Sequence, residues 1–122
     1  MRSVIERSNC GLLLDLNNVY VNARNHGFDV NDYLGNVAWE RVGEIHLAGY
    51  EHSDGVLIDT HGQPVQPPVW DMFGACHRRL PQDARVLIEW DTNLPALPVL
   101  VSEAAKASRV LTKRAAPEMK YA

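Results

Sequence analysis

The sequence predicts an α/β fold in which three parallel strands alternate with helices and form half of a closed eightfold barrel. Three short apolar runs, LLLD (12–15), EIHLAG (44–49) and RVLIEWD (85–91), are typical of strands buried on both faces of a parallel sheet. Segments with helical periodicity separate these runs. At 122 residues the chain supplies roughly half of the about 250 residues that such a barrel needs.

Shorter elements are predicted around the first two strands. Residues 3–9 are expected to form the last turns of a helix, and Asp29 or Asn31 is expected to cap a second short helix. VLIDTH (56–61) alternates in polarity before a Gly-Gln-Pro break. This pattern predicts one arm of a hairpin or an extended loop, inserted between the second and third strands.

Two amphipathic helices are predicted in the second half of the chain. The proline pair 67–68 begins one whose apolar side is Val69, Met72, Phe73, Cys76 and Leu80. After Pro95 a final helix is predicted with Leu97, Leu100, Val101, Ala104 and Leu111 on one side. The domain is expected to span residues 1–111, and residues 112–122 are expected to be a disordered tail.

Composition excludes several classes of function. The formal charge is -3 and basic residues are dispersed, so binding to nucleic acid is not expected. No apolar run has the length of a membrane-spanning helix and the N-terminus lacks a signal pattern, which favours a cytoplasmic protein that does not enter membranes. Cys10 and Cys76 lack metal-binding spacing and are expected to be reduced, buried thiols, with a disulfide between them as the alternative.

Polar side chains stand at the ends of the three predicted strands. Asp15 closes the first strand, His46 lies near the end of the second, and Glu89 lies near the end of the third. In parallel α/β folds the carboxyl ends of the strands open onto one face, where ligands bind. The three side chains are therefore expected to converge.

Three further donors are expected to join this set. Asn18 follows Asp15 by three residues, and Asp59 and His61 lie two residues apart in a segment predicted to be extended. Alternate residues of an extended segment point the same way, so Asp59 and His61 can address one centre. Carboxylate, imidazole and amide donors without a thiolate suit non-haem iron or manganese, and zinc less specifically.

Each of these donors has a simpler interpretation that the sequence leaves open. Asp15 is also a typical capping residue, His46 a hydrogen-bonded cleft residue, Asp59 a turn carboxylate and His61 a solvent-facing imidazole. Glu89 is harder to explain in this way. A carboxylate in a buried strand is costly unless it is paired or bound to a metal.

Four runs of the sequence resemble one enzyme family, the multinuclear non-haem iron-dependent oxidative enzymes, long catalogued as a domain of unknown function. The runs that resemble its C-terminal half, between about residues 10 and 106, are GLLLDLNNVYVNARNHGFD, GEIHLAGYEHSDGVLIDTHGQPV, PVWDMF and LIEWDTNLPAL. The resemblance implies a TIM-type barrel similar to xylose isomerase and a site for two or three irons. It also implies metal binding by Asp15, Asn18, His46, Asp59, His61 and Glu89.

The same resemblance implies an enzyme that uses dioxygen to oxidise side chains, often cysteine, of ribosomally made precursor peptides, together with a partner protein that holds the peptide. Ligands from the first half of the barrel have no counterpart here, so the isolated chain is expected to be an incomplete or inactive fragment. Its open strand edges would permit self-association. Two alternatives are an interaction or oligomerising module without catalysis and a zinc-dependent enzyme of xylose-isomerase-like fold.

Overall fold

The computed structural model describes residues 1–115 and confirms the predicted α/β class, with an open sheet of three parallel strands and a separate antiparallel hairpin. The sheet strands are, in spatial order, β1 (Leu12–Asp15), β2 (Val42–Leu47) and β5 (Arg85–Ile88). The hairpin strands are β3 (Glu51–Ser53) and β4 (Val56–Ile58). The α-helices are α1 (Arg2–Ser8), α2 (Leu16–His26), α3 (Val30–Gly35), α4 (Pro67–Cys76) and α5 (Leu97–Ala115), and short 3-10 helices cover Trp39–Arg41 and His77–Arg79.

The register of the strands divides the sheet into two faces of different character. Leu13, Glu44 and Arg85 are neighbours across the three strands. Two residues further along each strand, Asp15, His46 and Leu87 are neighbours. Because side chains alternate along a strand, these residues share one face. We call this face, which carries Leu13, Asp15, Glu44, His46, Arg85 and Leu87, the open face. The covered face carries Leu14, Ile45, Leu47, Val86 and Ile88.

The core lies on the covered face, beneath the helices. Ile45 and Leu47 are fully buried, and Phe73 of α4 belongs to the same hydrophobic cluster. The predicted apolar residues are all buried, but α4 ends at Cys76, so Leu80 follows the 3-10 helix and only four of them lie on α4: Val69, Met72, Phe73 and Cys76. Burying side chains of this size contributes about 1.5–3 kcal/mol each, so this layer supplies most of the stability of the fold.

The open face departs from the prediction of strands buried on both sides. Leu13 is 52% exposed and Leu87 is 45% exposed, and β5 alternates between exposed and half-buried residues. Apolar runs such as LLLD and RVLI do not distinguish a strand with two covered faces from one with a single covered face. Within residues 1–115 no second layer lies over this side of the sheet.

Helix α2 has no counterpart among the predicted elements. It begins directly after β1, where the side chain of Asp15 accepts a hydrogen bond from the backbone N–H of Asn18 at 2.9 Å. It ends at Gly27, which takes the left-handed conformation with φ 72°. Asn18 therefore lies in the first turn of a helix and not on a loop. The predicted capping role of Asp29 in α3 is confirmed.

The final helix packs differently from the predicted pattern. Leu97 and Val101 are 70% and 58% exposed, whereas Glu103 is only 3% exposed and Ala107 is 5% exposed. The buried Glu103 carboxylate accepts a hydrogen bond from the backbone N–H of Val65 at 3.2 Å and contacts Lys106 Nζ at 2.5 Å. Hydrogen bonding and pairing of this kind allow a carboxylate to occupy a core position.

Two further expectations need correction. Helix α5 continues to Ala115, so the predicted tail begins within a helix, and the remainder of it, residues 116–122, lies outside the described residues. Both cysteines are free, as expected, but Cys10 is exposed and only Cys76 is buried. Among residues 1–115 no helix is long and apolar enough to cross a bilayer.

Candidate metal centre

The three strand-end side chains meet at the carboxyl edge of the sheet. One donor atom from each of Asp15, His46 and Glu89 lies within 4.8 Å of the others. The backbone N–H of Glu89 donates to the carbonyl oxygen of Leu47 at 2.8 Å, which continues the β5 ladder by one residue and places Glu89 beside His46. His46 Nδ1 lies 2.8 Å from Glu89 Oε2. The parallel sheet therefore brings together the donors that the sequence places at its strand ends.

A second group adjoins the first and shares Asp15. Donor atoms of Asp15, Asp59 and His61 also lie within 4.8 Å of one another. His61 Nε2 is 2.9 Å from Asp59 Oδ1 and 3.6 Å from Asp15 Oδ2. His61 has a left-handed backbone with φ 51°, so the segment is not extended there. The two residues meet as predicted, but alternation along a strand is the wrong reason.

Backbone hydrogen bonds fix the position of His61. Its N–H donates to the carbonyl oxygen of Gly49 at 3.0 Å, and its carbonyl oxygen accepts from the N–H of Asp91 at 2.8 Å. Gly49 must be glycine, because a Cβ at this position would stand 2.2 Å from the carbonyl oxygen of Gln63. The loop after β2 and the segment after β5 thus hold His61 from both sides, which offsets the strain of its left-handed conformation.

Two amides at the start of α2 hold the Asp59 carboxylate. Asn18 Nδ2 donates to Asp59 Oδ2 at 3.1 Å, so the nitrogen of its amide faces the centre in this structure. Asn17, which is fully buried, donates through Nδ2 to Asp59 Oδ1 and to the carbonyl oxygen of Gly49. Asn17 is not among the predicted site residues. Its role depends on α2, the helix that the sequence pattern did not indicate.

Two carboxylates outside the predicted set contact the imidazoles. Glu44 Oε1 lies 2.7 Å from His46 Nε2, and Asp91 Oδ2 lies 3.1 Å from His61 Nδ1. Asp91 also forms a potential ligand group with His61 and Glu89. The signal for Glu44 is present in the sequence, because it lies two residues before His46 on the same strand.

The electrostatics of the cluster reflect crowded negative charge. Burial raises the pKa of Asp15, and repulsion from Asp59 adds to this, while the hydrogen bond from the Asn18 N–H opposes it. Burial by itself lowers the pKa of His46, but hydrogen bonds to Glu44 and Glu89 outweigh it and the net pKa is raised. Burial likewise lowers the pKa of His61, and attraction to Asp59 together with other carboxylates reverses it, again raising the pKa. A positive charge at the centre is therefore favoured.

These observations fit a divalent cation. Five carboxylates surround two imidazoles, so the centre stays negative even when both rings are protonated. His61 Nε2 is buried and makes no hydrogen bond, because its close contact with Asp59 lacks hydrogen-bond geometry. Binding of a cation by the lone pair of this nitrogen would explain why it has no hydrogen bond. The donor atoms that meet here are carboxylate oxygens and imidazole nitrogens, which suit iron, manganese or zinc.

Comparison with known proteins gives the family. The family model described as RiPP precursor modification enzyme MbnB/TglH/ChrH matches residues 1–112. The chain belongs to this family. RiPPs are ribosomally synthesised and post-translationally modified peptides. The match confirms the family resemblance predicted from the four sequence runs.

Curated relatives of this family member are longer than the chain. A UPF0276 protein of Acaryochloris marina is 50% identical over 111 residues, which are 91% of this chain and 40% of the relative. UPF0276 proteins of an Anaeromyxobacter species and of Vibrio parahaemolyticus are 46% and 43% identical, over 90% and 96% of this chain and 38% and 42% of their own lengths. The chain thus spans about two fifths of the length of these relatives.

Proposed function

We propose that this chain forms the iron-binding C-terminal half of an oxidative enzyme that modifies side chains, often cysteine, of ribosomally made precursor peptides. The observation that carries the proposal is the meeting of Asp15, His46 and Glu89 with Asp59 and His61 at one edge of the sheet. Membership of a family described by RiPP precursor modification supports the substrate class.

The two adjoining groups correspond to two neighbouring iron positions in this proposal. Asp15, His46 and Glu89 would hold one ion, and Asp59 and His61 would hold its neighbour, with Asp15 belonging to both groups of donors. Asn18, the remaining residue of the predicted set, restrains Asp59 through its amide N–H in this structure. Bound iron supplies the redox chemistry by which dioxygen oxidises a peptide side chain. The protein holds the ions and orients their ligands through fixed backbone and amide hydrogen bonds.

The isolated chain holds an incomplete centre in this proposal. Its open face leaves Leu13 and Leu87 in water beside the candidate ligands, and its relatives are more than twice as long. A water-filled site does not confine an oxidation. Activity therefore needs the polypeptide that covers the open face, as well as the precursor peptide and a partner protein that holds it. The free cysteines fit a reducing compartment, which supports a cytoplasmic location.

Metal analysis after anaerobic loading with ferrous iron tests the proposal. We expect about one or more irons per wild-type chain, and a large loss in a His46→Ala, Glu89→Ala double variant, because each iron position depends on several donors together. The matched control is a His26→Ala, Glu40→Ala double variant, which removes the same residue types from exposed positions. Equal and negligible iron in wild type and in the site variant would end the catalytic proposal.

The exposed leucines of the open face favour a second candidate, an interaction module that associates through its sheet. Sedimentation of the metal-free chain separates the two. A tight dimer that buries more than about 1,000 Å² supports association as the function. The zinc-dependent alternative is tested by competition, because an iron enzyme should retain ferrous iron when equal zinc is present under anaerobic conditions.

A further inference from the structure

Glu44 is a carboxylate of the open face that the candidate ligand groups do not use. It lies two residues before His46 on β2, and residues at this spacing share a face of the strand. Its side chain is 35% exposed, and that of His46 is 13% exposed. The ligand groups lie at the carboxyl edge of the sheet. Glu44 therefore contacts the imidazole of His46 from the opposite side.

The two nitrogens of His46 have different surroundings. Nδ1 lies 2.8 Å from Glu89 Oε2, within the group that also contains Asp15, and Nε2 lies 2.7 Å from Glu44 Oε1. A neutral imidazole carries one N–H and one lone pair, so only one nitrogen binds a cation while the other donates a hydrogen bond. The nitrogen turned toward the ligand group is Nδ1.

We propose that Glu44 is a positioning residue, whose carboxylate holds the proton on Nε2 of His46 and thereby keeps the Nδ1 lone pair directed at a cation shared with Asp15 and Glu89. This inference rests on the proposed function, since it requires a cation at that group. Carboxylates that accept the second N–H of a ligating histidine fix its tautomer and orientation and increase its basicity.

The geometry distinguishes this role from two simpler ones. Glu44 is not itself part of a ligand group among residues 1–115, because its carboxylate contacts the far nitrogen of the ring. An ordinary surface carboxylate would pair with the nearest permanent cation. Arg85 is its register neighbour on β5, yet the ion pair that Glu44 forms in the described residues is with His46.

Zinc is the probe for the test, because it is diamagnetic and accepts the same donors. The measurements are zinc affinity, by competition with a chelating dye, and the ring ¹⁵N chemical shifts of His46 in the zinc-loaded chain. In wild type we expect a metal-bound Nδ1 and a protonated Nε2. Glu44→Leu should lower zinc affinity about 10–100-fold and give a mixture of ring tautomers.

Two variants serve as matched controls. Glu44→Gln keeps an oxygen that accepts the Nε2 proton, so it should keep the wild-type tautomer and lose less affinity than Glu44→Leu. Glu40→Leu makes the same substitution at an exposed glutamate outside the centre and should leave both measurements unchanged. Circular dichroism checks that each variant is folded.

Several outcomes would overturn the inference, and they differ from failure of the proposed function. Wild-type affinity and ring shifts in Glu44→Leu would exclude any role for Glu44. Equal losses in Glu44→Leu and Glu44→Gln with an unchanged tautomer would show that only its charge matters. If Glu44→Leu does not fold, a proton on Nδ1 in Glu44→Gln overturns the inference by itself. A wild-type chain that binds neither zinc nor iron removes the proposed function, and this inference with it.

Discussion

The two faces of the central sheet differ in what they contribute to the protein. On the covered face, Ile45 and Leu47 are fully buried under helices. On the open face, Leu13 and Leu87 remain about half exposed beside His46 and a group of carboxylates. The same strands carry both faces, because side chains alternate along the backbone.

This difference separates stability from binding. Apolar burial on the covered face stabilises the fold, and it does so without the candidate site. Crowded carboxylates on the open face oppose folding of the metal-free chain, because their mutual repulsion is relieved only by protons or a cation. The fold therefore holds together a group of carboxylates whose repulsion destabilises the folded chain unless a cation or protons are bound.

The largest expected effect is the loss of stability when a buried side chain of the covered face is removed. Phe73→Ala should lower the free energy of unfolding by about 3–5 kcal/mol, because the fully buried ring leaves a cavity when it is removed. Urea denaturation followed by circular dichroism measures this. The control is Leu87→Ala on the open face, for which we expect a loss below about 1 kcal/mol. Similar losses in the two variants would contradict the division between the faces.

The reaction rates of the two cysteine thiols measure burial chemically, because Cys76 lies in the core and Cys10 is exposed. Burial in the core raises the pKa of Cys76 to about 11, so at pH 8 only about one thiol in a thousand is the reactive thiolate. With Ellman's reagent we expect one rapid equivalent from the exposed Cys10, and a second at least about 100-fold slower unless the chain is unfolded. A Cys10→Ser variant that still shows a rapid equivalent would contradict the buried position of Cys76.

Replacing the exposed leucines tests what the open face is for. The interaction-module candidate predicts that a Leu13→Ser, Leu87→Ser variant associates at least about 10-fold more weakly than wild type in sedimentation experiments, because each leucine would contribute apolar area to the contact. Its binding of an apolar fluorescent dye should fall as well. The unfolding transition should change little, since both residues are already about half exposed. Unchanged association would place the contact elsewhere on the molecule.

The smallest expected effect is on the pH dependence of the metal-free chain. His46 and His61 have folded pKa values above their ordinary value of 6.5. Their contribution to stability is therefore fully present below pH 6.5 and is lost as the pH rises through the folded pKa values. In the presence of a chelator, the urea midpoint should fall from pH 6 to pH 8.5. A His46→Gln, His61→Gln variant should show a smaller fall, and a midpoint that rises with pH in wild type would contradict the assignment.

The predictable part of the fold is the part governed by local pattern. The periodicity from Val69 to Cys76 predicted α4 and its buried side correctly, since apolar spacing reports a single covered stripe. The same argument was wrong for α5, where the buried stripe contains Glu103. Lys106 pairs with that carboxylate from one turn further along the same helix, but the N–H of Val65 reaches it from a segment 38 residues away. The contact with Val65 is not contained in any local pattern.

The candidate site was predictable to the extent that it follows from strand order. Asp15, His46 and Glu89 meet because parallel strands end at one edge, a rule that holds without coordinates. Asp59 and His61 were identified with an incorrect reason, and Asn17 and Asp91 were missed. Their positions depend on α2, on the left-handed turn at His61 and on contacts between loops.

The sequence by itself determined the α/β class, the strand-end donors and the family, because alternation, apolar runs and long motifs are properties of neighbouring residues. Only the tertiary structure decided which sheet face is covered, which carboxylate takes each histidine nitrogen, and how His61 is held. Those features depend on contacts between residues distant in sequence. Asn18 shows the difference, because its N–H donates to its cap Asp15 at 2.9 Å and its Nδ2 donates to Asp59 at 3.1 Å. The first spans three residues and can be read from the chain, whereas the second spans 41 and exists only once the chain has folded.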